Sequence, residues 1–234
     1  MPATDELAAN LARVRARIAA AALACGRDPG AIALLAVSKA QPTARVRALA
    51  GKGQLAFGEN YPQEGAAKIE ACAGLGLEWH FIGQLQANKT RAVAERFDWV
   101  HSLDRIRVAE RLSAQRPTGA APLQVLLQVN VSAEPQKGGV EPAELPALAR
   151  AVAALPRLAL RGLMCIPAPG RDPAAQRAPY RVLRELLDGL YAELGPGIGA
   201  LDQLSMGMSG DLEAAVAEGT TIVRVGTALF GARG

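Results

Sequence analysis

Eight short apolar runs, each followed by a helical pattern and none set apart by a long linker, constrain this chain more than any other feature of its sequence. Ile32–Ser38 reads as the first strand, with a helix over about Thr43–Ala50, and Leu55–Gly58 as the second, with a helix over Pro62–Cys72. Glu78–Ile82 and Trp99–Ser102 are the third and fourth, with helices over about Ala87–Arg96 and Ile106–Arg116. Leu123–Val131 is the longest strand, and a loop then leads to a helix over about Pro142–Ala154. Leu158–Cys165 is the sixth, followed by a loop at Pro167–Pro173 and a long helix ending near Leu194. Gln203–Ser205 is a weak seventh strand before a helix over Asp211–Glu218, and Thr221–Val225 is the eighth, before a short helix from Ala228. Such a string of units predicts an α/β fold, a single (β/α)8 barrel of the TIM type spanning residues 1–234 as one domain. An open doubly wound sheet is the alternative. Against it, no GxGxxG follows the first strand, and the phosphate-type loops come late.

The chain is large enough for one sizeable core, since half of its 234 residues are hydrophobic. An extra helix precedes the first strand: Leu7, Leu11, Val14, Ile18 and Ala22 recur at helical spacing, with Asp5 and Glu6 in the first turn. Gly26 and Pro29 stop it. Arg13, Arg15 and Arg17 before the apolar Ile18–Cys25 superficially mimic a secretory or lipoprotein signal, but that stretch is short, mostly Ala and better read as helix. No other segment is long and apolar enough to cross a membrane. Arg outnumbers Lys 21 to 5 and is scattered singly, while aromatics make up only 4% of the chain. That pattern argues for solvated helix faces and against nucleic-acid binding, which needs clustered charge and stacking platforms. Cys25, Cys72 and Cys165 are odd in number, far apart and without CxxC spacing, so a reducing, cytoplasmic setting fits them.

Lys39 is the most informative residue. It ends the run Ile32–Lys39, and strand alternation puts it on one face with Leu35 and Val37. An ammonium at the edge of an apolar interior is desolvated, which makes the neutral amine accessible for a Schiff base; equally, a strand-end lysine can snorkel to water. Near the C-terminus, Gly207 and Gly210 allow close backbone approach, and Ser209 or Asp211 can cap the following helix, whose N-terminus suits phosphate. In the eighth strand Ile222, Arg224 and Gly226 share a face, read as inward, with Gly226 and Thr227 offering N–H groups and a hydroxyl. Both segments follow strands seven and eight, where barrels recurrently bind phosphate. The plain alternatives are a capped turn and an Arg salt-bridged to a structural carboxylate. Glu59 and Asn60 are read as helix caps, with Asn60 also placed to touch a ligand ring. His80 and His101 read as satisfied, partly buried residues, and with no third ligand at recognisable spacing a metal site is disfavoured. Lys137 reads as an exposed loop lysine or a second cationic contact.

Five blocks then match something specific: Ala36–Lys39, Phe57–Tyr61, Trp79–Lys89, Leu204–Ser209 and Val223–Gly231. In order and over nearly the whole chain they resemble the pyridoxal-phosphate homeostasis protein family, which looks like the barrel domain of alanine racemase standing alone. Pro62 differs from the residue usual in relatives, but Pro is benign in a first helical turn. The resemblance implies that Lys39 holds pyridoxal 5'-phosphate (PLP) as a Schiff base. It makes Ser209, Gly226 and Thr227 phosphate contacts with Met206 close by, Arg224 the partner of the ring nitrogen, and Asn60 a neighbour of the cofactor. An arginine cannot give up its proton, so that nitrogen stays unprotonated and the ring is a weaker electron sink. Racemases of this kind draw a second acid–base group from a C-terminal domain and a partner subunit, and this sequence ends at Gly234. The expectation is therefore a non-catalytic, monomeric PLP carrier that exchanges cofactor with PLP-dependent apoenzymes. A racemase, with Tyr61 or His80 as second base, is the alternative. A class I aldolase fits less well, because its lysine usually sits on a later strand and Leu158–Cys165 has none.

Overall fold

The computed structural model describes residues 4–231 apart from 133, 135–137 and 169. Its strands are β1 (Ala33–Val37), β2 (Ala56–Glu59), β3 (Glu78–Phe81), β4 (Trp99–Leu103), β5 (Leu123–Gln128), β6 (Leu158–Met164), β7 (Gln203–Ser205) and β8 (Ile222–Val225). All pair in parallel in chain order, and β8 returns to β1 with Leu35 opposite Arg224, so the sheet closes into the expected barrel. Closure leaves no edge strand and puts every strand's C-terminal end at one mouth.

The helices among the described residues are α1 (Thr4–Ala24), α2 (Thr43–Ala50), α3 (Pro62–Ala71), α4 (Thr90–Arg96), α5 (Ile106–Gln115), α6 (Leu145–Ala153), α7 (Pro173–Leu194), α8 (Leu212–Ala217) and α9 (Thr227–Phe230). The extra helix α1 buries the predicted stripe of Leu7, Leu11, Val14, Ile18 and Ala22 against the barrel's outer layer. Each buried aliphatic of that kind contributes roughly 1.5–3 kcal/mol of transfer free energy. Asn10 Nδ2 donates to Leu229 O at 3.0 Å, which ties α1 to the chain segment after β8. None of these helices is long and apolar enough to cross a membrane.

Most elements fall within a residue or two of the sequence reading. The predicted fifth strand overruns: β5 stops at Gln128, and Val129 makes a single bridge to Val140. Asn130 N–H donates to Val140 O and Val140 N–H to Gln128 O, so the loop that follows takes the ladder bonds a longer strand would have used. The helices expected over 87–96 and 142–154 each open with a separate 3-10 turn, at Ala87–Lys89 and Pro142–Glu144.

The space inside the barrel is filled, not open. Leu35, Ile82 and Ile222 form one cluster with Val37 and Ala56, and Trp99, Leu126 and Met164 form another. The first lies beneath the mouth on the β1–β3 and β8 side and is the floor on which the site rests.

Candidate functional site

A cavity of about 260 Å³ opens at the mouth, walled by residues from the ends of six strands. Lys39 follows β1, Asn60 follows β2, Ile82 follows β3 and Ile166 follows β6. Met208, Ser209 and Gly210 come from the loop after β7, and Arg224, Gly226 and Thr227 from β8 and its end. Residues from β4 and β5 do not line it, so the site sits off the barrel axis. Two spots need a small residue. A Cβ on Gly83 would lie 2.2 Å from Asn60 O, so the glycine lets the β3 loop press on the backbone of Asn60. Gly207, at φ +90°, turns the β7 loop where a Cβ would meet Ala215 at 2.4 Å.

The turn that presents Lys39 is held from below. Ala40, the next residue, has a positive φ of 57°, and its N–H donates to Glu64 Oε1 at 2.7 Å. Lys68 Nζ donates to Glu64 Oε1 at 2.6 Å, to Glu59 Oε1 at 2.8 Å and to Ser38 O at 2.6 Å. Ser38 Oγ donates to Glu59 Oε1 at 2.5 Å. Glu59 is fully buried, and burial pushes its carboxyl above the ordinary value, against the pull of the Lys68 and Ser38 hydrogen bonds. The capping roles read for Glu59 and Asn60 are thereby corrected. The N-cap of α3 is Tyr61, which makes no side-chain cap bond, while Glu59 is drawn inward by Lys68 and Asn60 faces the cavity. Sequence reasoning missed Lys68. Its one local signal was the i,i+4 spacing to Glu64, which on a helix ordinarily reads as a solvated pair.

Arg224 is 4% exposed and makes no ion pair with the described residues. Its Nη1 donates to Ser205 Oγ at 2.8 Å and its Nη2 to the Cys165 carbonyl at 2.9 Å. The alternative of a salt bridge to a structural carboxylate is therefore not what the fold builds. Burial lowers the guanidinium's affinity for its proton, offset in part by the charges of Cys165, Tyr180 and Asp211.

The caps expected after β7 also differ. Asp211 is the N-cap of α8 by position, yet its Oδ1 accepts from Met208 N at 2.6 Å and so folds the loop instead. Ser209 Oγ accepts from Ala228 N at 3.3 Å, linking the β7 loop to the start of α9. Met206 is fully buried in the main core and does not line the cavity; Met208, two residues on, does. The other residues singled out from sequence, Lys39, Asn60, Ser209, Arg224, Gly226 and Thr227, share this one cavity. Tyr61 lines a neighbouring polar cavity with Gln84, Gln86 and Lys89. His80 and His101 lie buried in the interior. Lys137 lies outside the described residues.

A family model described as alanine racemase, N-terminal domain, matches residues 4–234. The chain belongs to the alanine racemase N-terminal domain family. Within that family it is 58% identical over 227 residues to the pyridoxal phosphate homeostasis protein of Pseudomonas aeruginosa, covering 97% of this chain and 96% of that protein. It is 53% identical over 232 residues to the protein of the same name from Escherichia coli, covering 98% and 97%. Among solved structures it is similar to PipY of Synechococcus elongatus with PLP bound, at 38% identity and a TM-score of 0.83, covering 96% of this chain and 100% of PipY. The alanine racemase N-terminal domain family thus accounts for the whole barrel, with α1 included.

Proposed function

We propose that this protein binds PLP in the mouth cavity as a Schiff base on Lys39 and serves intracellular PLP homeostasis, holding and releasing the cofactor rather than turning over a substrate. The observation that carries this reading is the convergence on one cavity of an amine at the rim, a buried guanidinium in the wall, and hydroxyls with glycine backbone at the β7 and β8 loops. That set fits a planar pyridine ring bearing an aldehyde and a phosphate. Lys39 would supply the amine, Ser209, Gly226 and Thr227 would hold the phosphate, and Asn60 would contact the ring. Arg224 would meet the ring nitrogen and could only donate to it. When bound, PLP supplies an electron-withdrawing ring conjugated to an imine. The names of the curated relatives and the PLP-bound PipY structure support the same reading.

Two features favour carriage over catalysis. Beside Lys39 and Arg224, the described residues lining the cavity are aliphatic, amide, thioether, hydroxyl or glycine, so none of them supplies a second general base. His80, the imidazole considered for that role, is sealed inside the barrel against His101. We take the protein to act as a monomer; light scattering behind a sizing column checks this. PLP-dependent apoenzymes are the natural recipients of cofactor released at the open mouth. The exposed Cys25 thiol suits a cytoplasmic setting.

The test is a PLP titration of the purified protein followed by absorbance. The reading predicts a saturable visible band, lost in Lys39→Ala, and no racemisation across a panel of amino acids. Steady racemisation abolished by Lys39→Ala would establish a racemase instead, and absence of any band would remove PLP from the account.

A further inference from the structure

Behind Arg224 the interior of the barrel holds a chain of polar side chains that the binding reading does not use. Arg224 on β8 meets it through Nη1, which donates to Ser205 Oγ on β7 at 2.8 Å. Ser205 Oγ lies 2.9 Å from His101 Nδ1 on β4, a contact that crosses the lumen. His101 Nε2 lies 2.9 Å from His80 Nδ1 on β3. His80 Nε2 lies 3.4 Å from Glu78 Oε1, within ion-pair reach but off the line of a good hydrogen bond. Glu78 opens β3 at the opposite end of the barrel and is half-exposed there.

The donor and acceptor inventory orders this chain. A guanidinium only donates, so Ser205 Oγ accepts from Arg224. Among the described residues the only group in hydrogen-bond contact with Ser205 Oγ besides Arg224 is His101 Nδ1, so we assign the hydroxyl proton to that contact, with Ser205 as donor. His101 is fully buried, and burial, then His80 and Arg224, hold it well below the ordinary histidine value, so the ring is neutral. A neutral ring that accepts at Nδ1 carries its proton on Nε2 and donates it to His80 Nδ1. His80 then carries its own proton on Nε2, toward Glu78. Three further charged or ring groups face this end. Trp99 stacks on His80 with ring centroids 5.4 Å apart and donates to Glu78, and Arg161 sits over Trp99 while pairing with Asp202 at 2.6 Å.

We infer that Ser205, His101 and His80 form a directional hydrogen-bond relay through the barrel, with Glu78 at ion-pair distance beyond its far end, that positions the Arg224 guanidinium in the cavity wall. The inference rests on the reading that the cavity holds PLP, with Arg224 at its ring nitrogen. Ser205, His101 and His80 are positioning residues here, because none of them lines the cavity and all act through Arg224. Arg224 gains a fixed orientation from a neutral acceptor whose own proton is committed away from it.

Nitrogen-15 NMR of the imidazoles in cofactor-free protein near pH 7.5 tests the direction without any substitution. The relay requires both histidines neutral with the proton on Nε2. A proton on Nδ1 of either ring, or an averaged mixture, overturns it. Ser205→Ala removes the link between the two halves. The expected result is a change in the resonances of both His101 and His80, together with about a fivefold weaker affinity for PLP, the equivalent of one neutral hydrogen bond. A change confined to His101, or an unchanged affinity, contradicts the relay. The binding reading fails separately, through the absence of a reducible adduct at Lys39 whatever the tautomers are.

Discussion

Two buried cations sit within the upper barrel, and their surroundings differ in kind. Lys68 is 5% exposed and meets two carboxylates, Glu59 and Glu64, plus the Ser38 carbonyl. Arg224 is 4% exposed and meets a hydroxyl and a carbonyl. The first has its positive charge met by carboxylates and points to structure: it pins the turn carrying Lys39. The second keeps its charge and faces a cavity. Lack of a carboxylate alone does not mark a ligand site, because Arg116 is also buried and donates to the carbonyls of Ala94, Phe97 and Ala121 away from any described cavity. The combination of uncompensated charge with a concave, accessible surface is what distinguishes Arg224.

The largest expected effect separates these two roles. Lys68→Met strands Glu59 without its cation and should cost about 3–5 kcal/mol of unfolding free energy by urea titration. Arg224→Met leaves only neutral acceptors unpaired and should cost about 1–3 kcal/mol, with a clear loss of PLP affinity. Equal or reversed stability losses would break the comparison. The pH dependence sharpens it. Glu59 binds its proton more tightly folded than unfolded, because burial raises it from the ordinary value of 4.5. Its contribution therefore favours folding below the unfolded value and is lost as pH rises through the raised folded one. Glu59→Gln should flatten that part of the stability profile, and an unchanged slope would contradict the burial argument. The smallest effect belongs to the rim: Ser209→Ala should weaken PLP by about fivefold while shifting stability little, as read by the same titration.

The fold was legible because aliphatic runs and helical periods alternate eight times, and even the three-residue β7 falls where expected. The misjudged end of β5 has a physical cause: the alternation runs on through Val129 and Val131, while the backbone bonds of Asn130 and Val140 belong to the loop. In the site, neither Lys39 nor Arg224 is decided by position alone: a strand-end lysine can snorkel and an inward arginine can pair with a carboxylate, and it is the loops after strands seven and eight, with the family blocks, that single them out. Asn60, Ser209, Gly226 and Thr227 also meet in the cavity. Lys68 could not be found, because its partners span a strand and a helix and a helix lysine reads as solvated. Ser205 read as an ordinary strand residue, since its bond to Arg224 lies between neighbouring strands and its contact with His101 crosses the lumen. Met206 faces the core and Met208 the cavity, because Gly207 turns the chain between them, a turn that strand alternation does not reveal.

The most direct measurement is borohydride reduction of the PLP-loaded protein, followed by proteolysis and mass mapping of every lysine. The account predicts a phosphopyridoxyl group on the peptide containing Lys39, with Lys68 unmodified in its carboxylate cage. Labelling at Lys68 or elsewhere with Lys39 untouched, or no adduct at all, would contradict it.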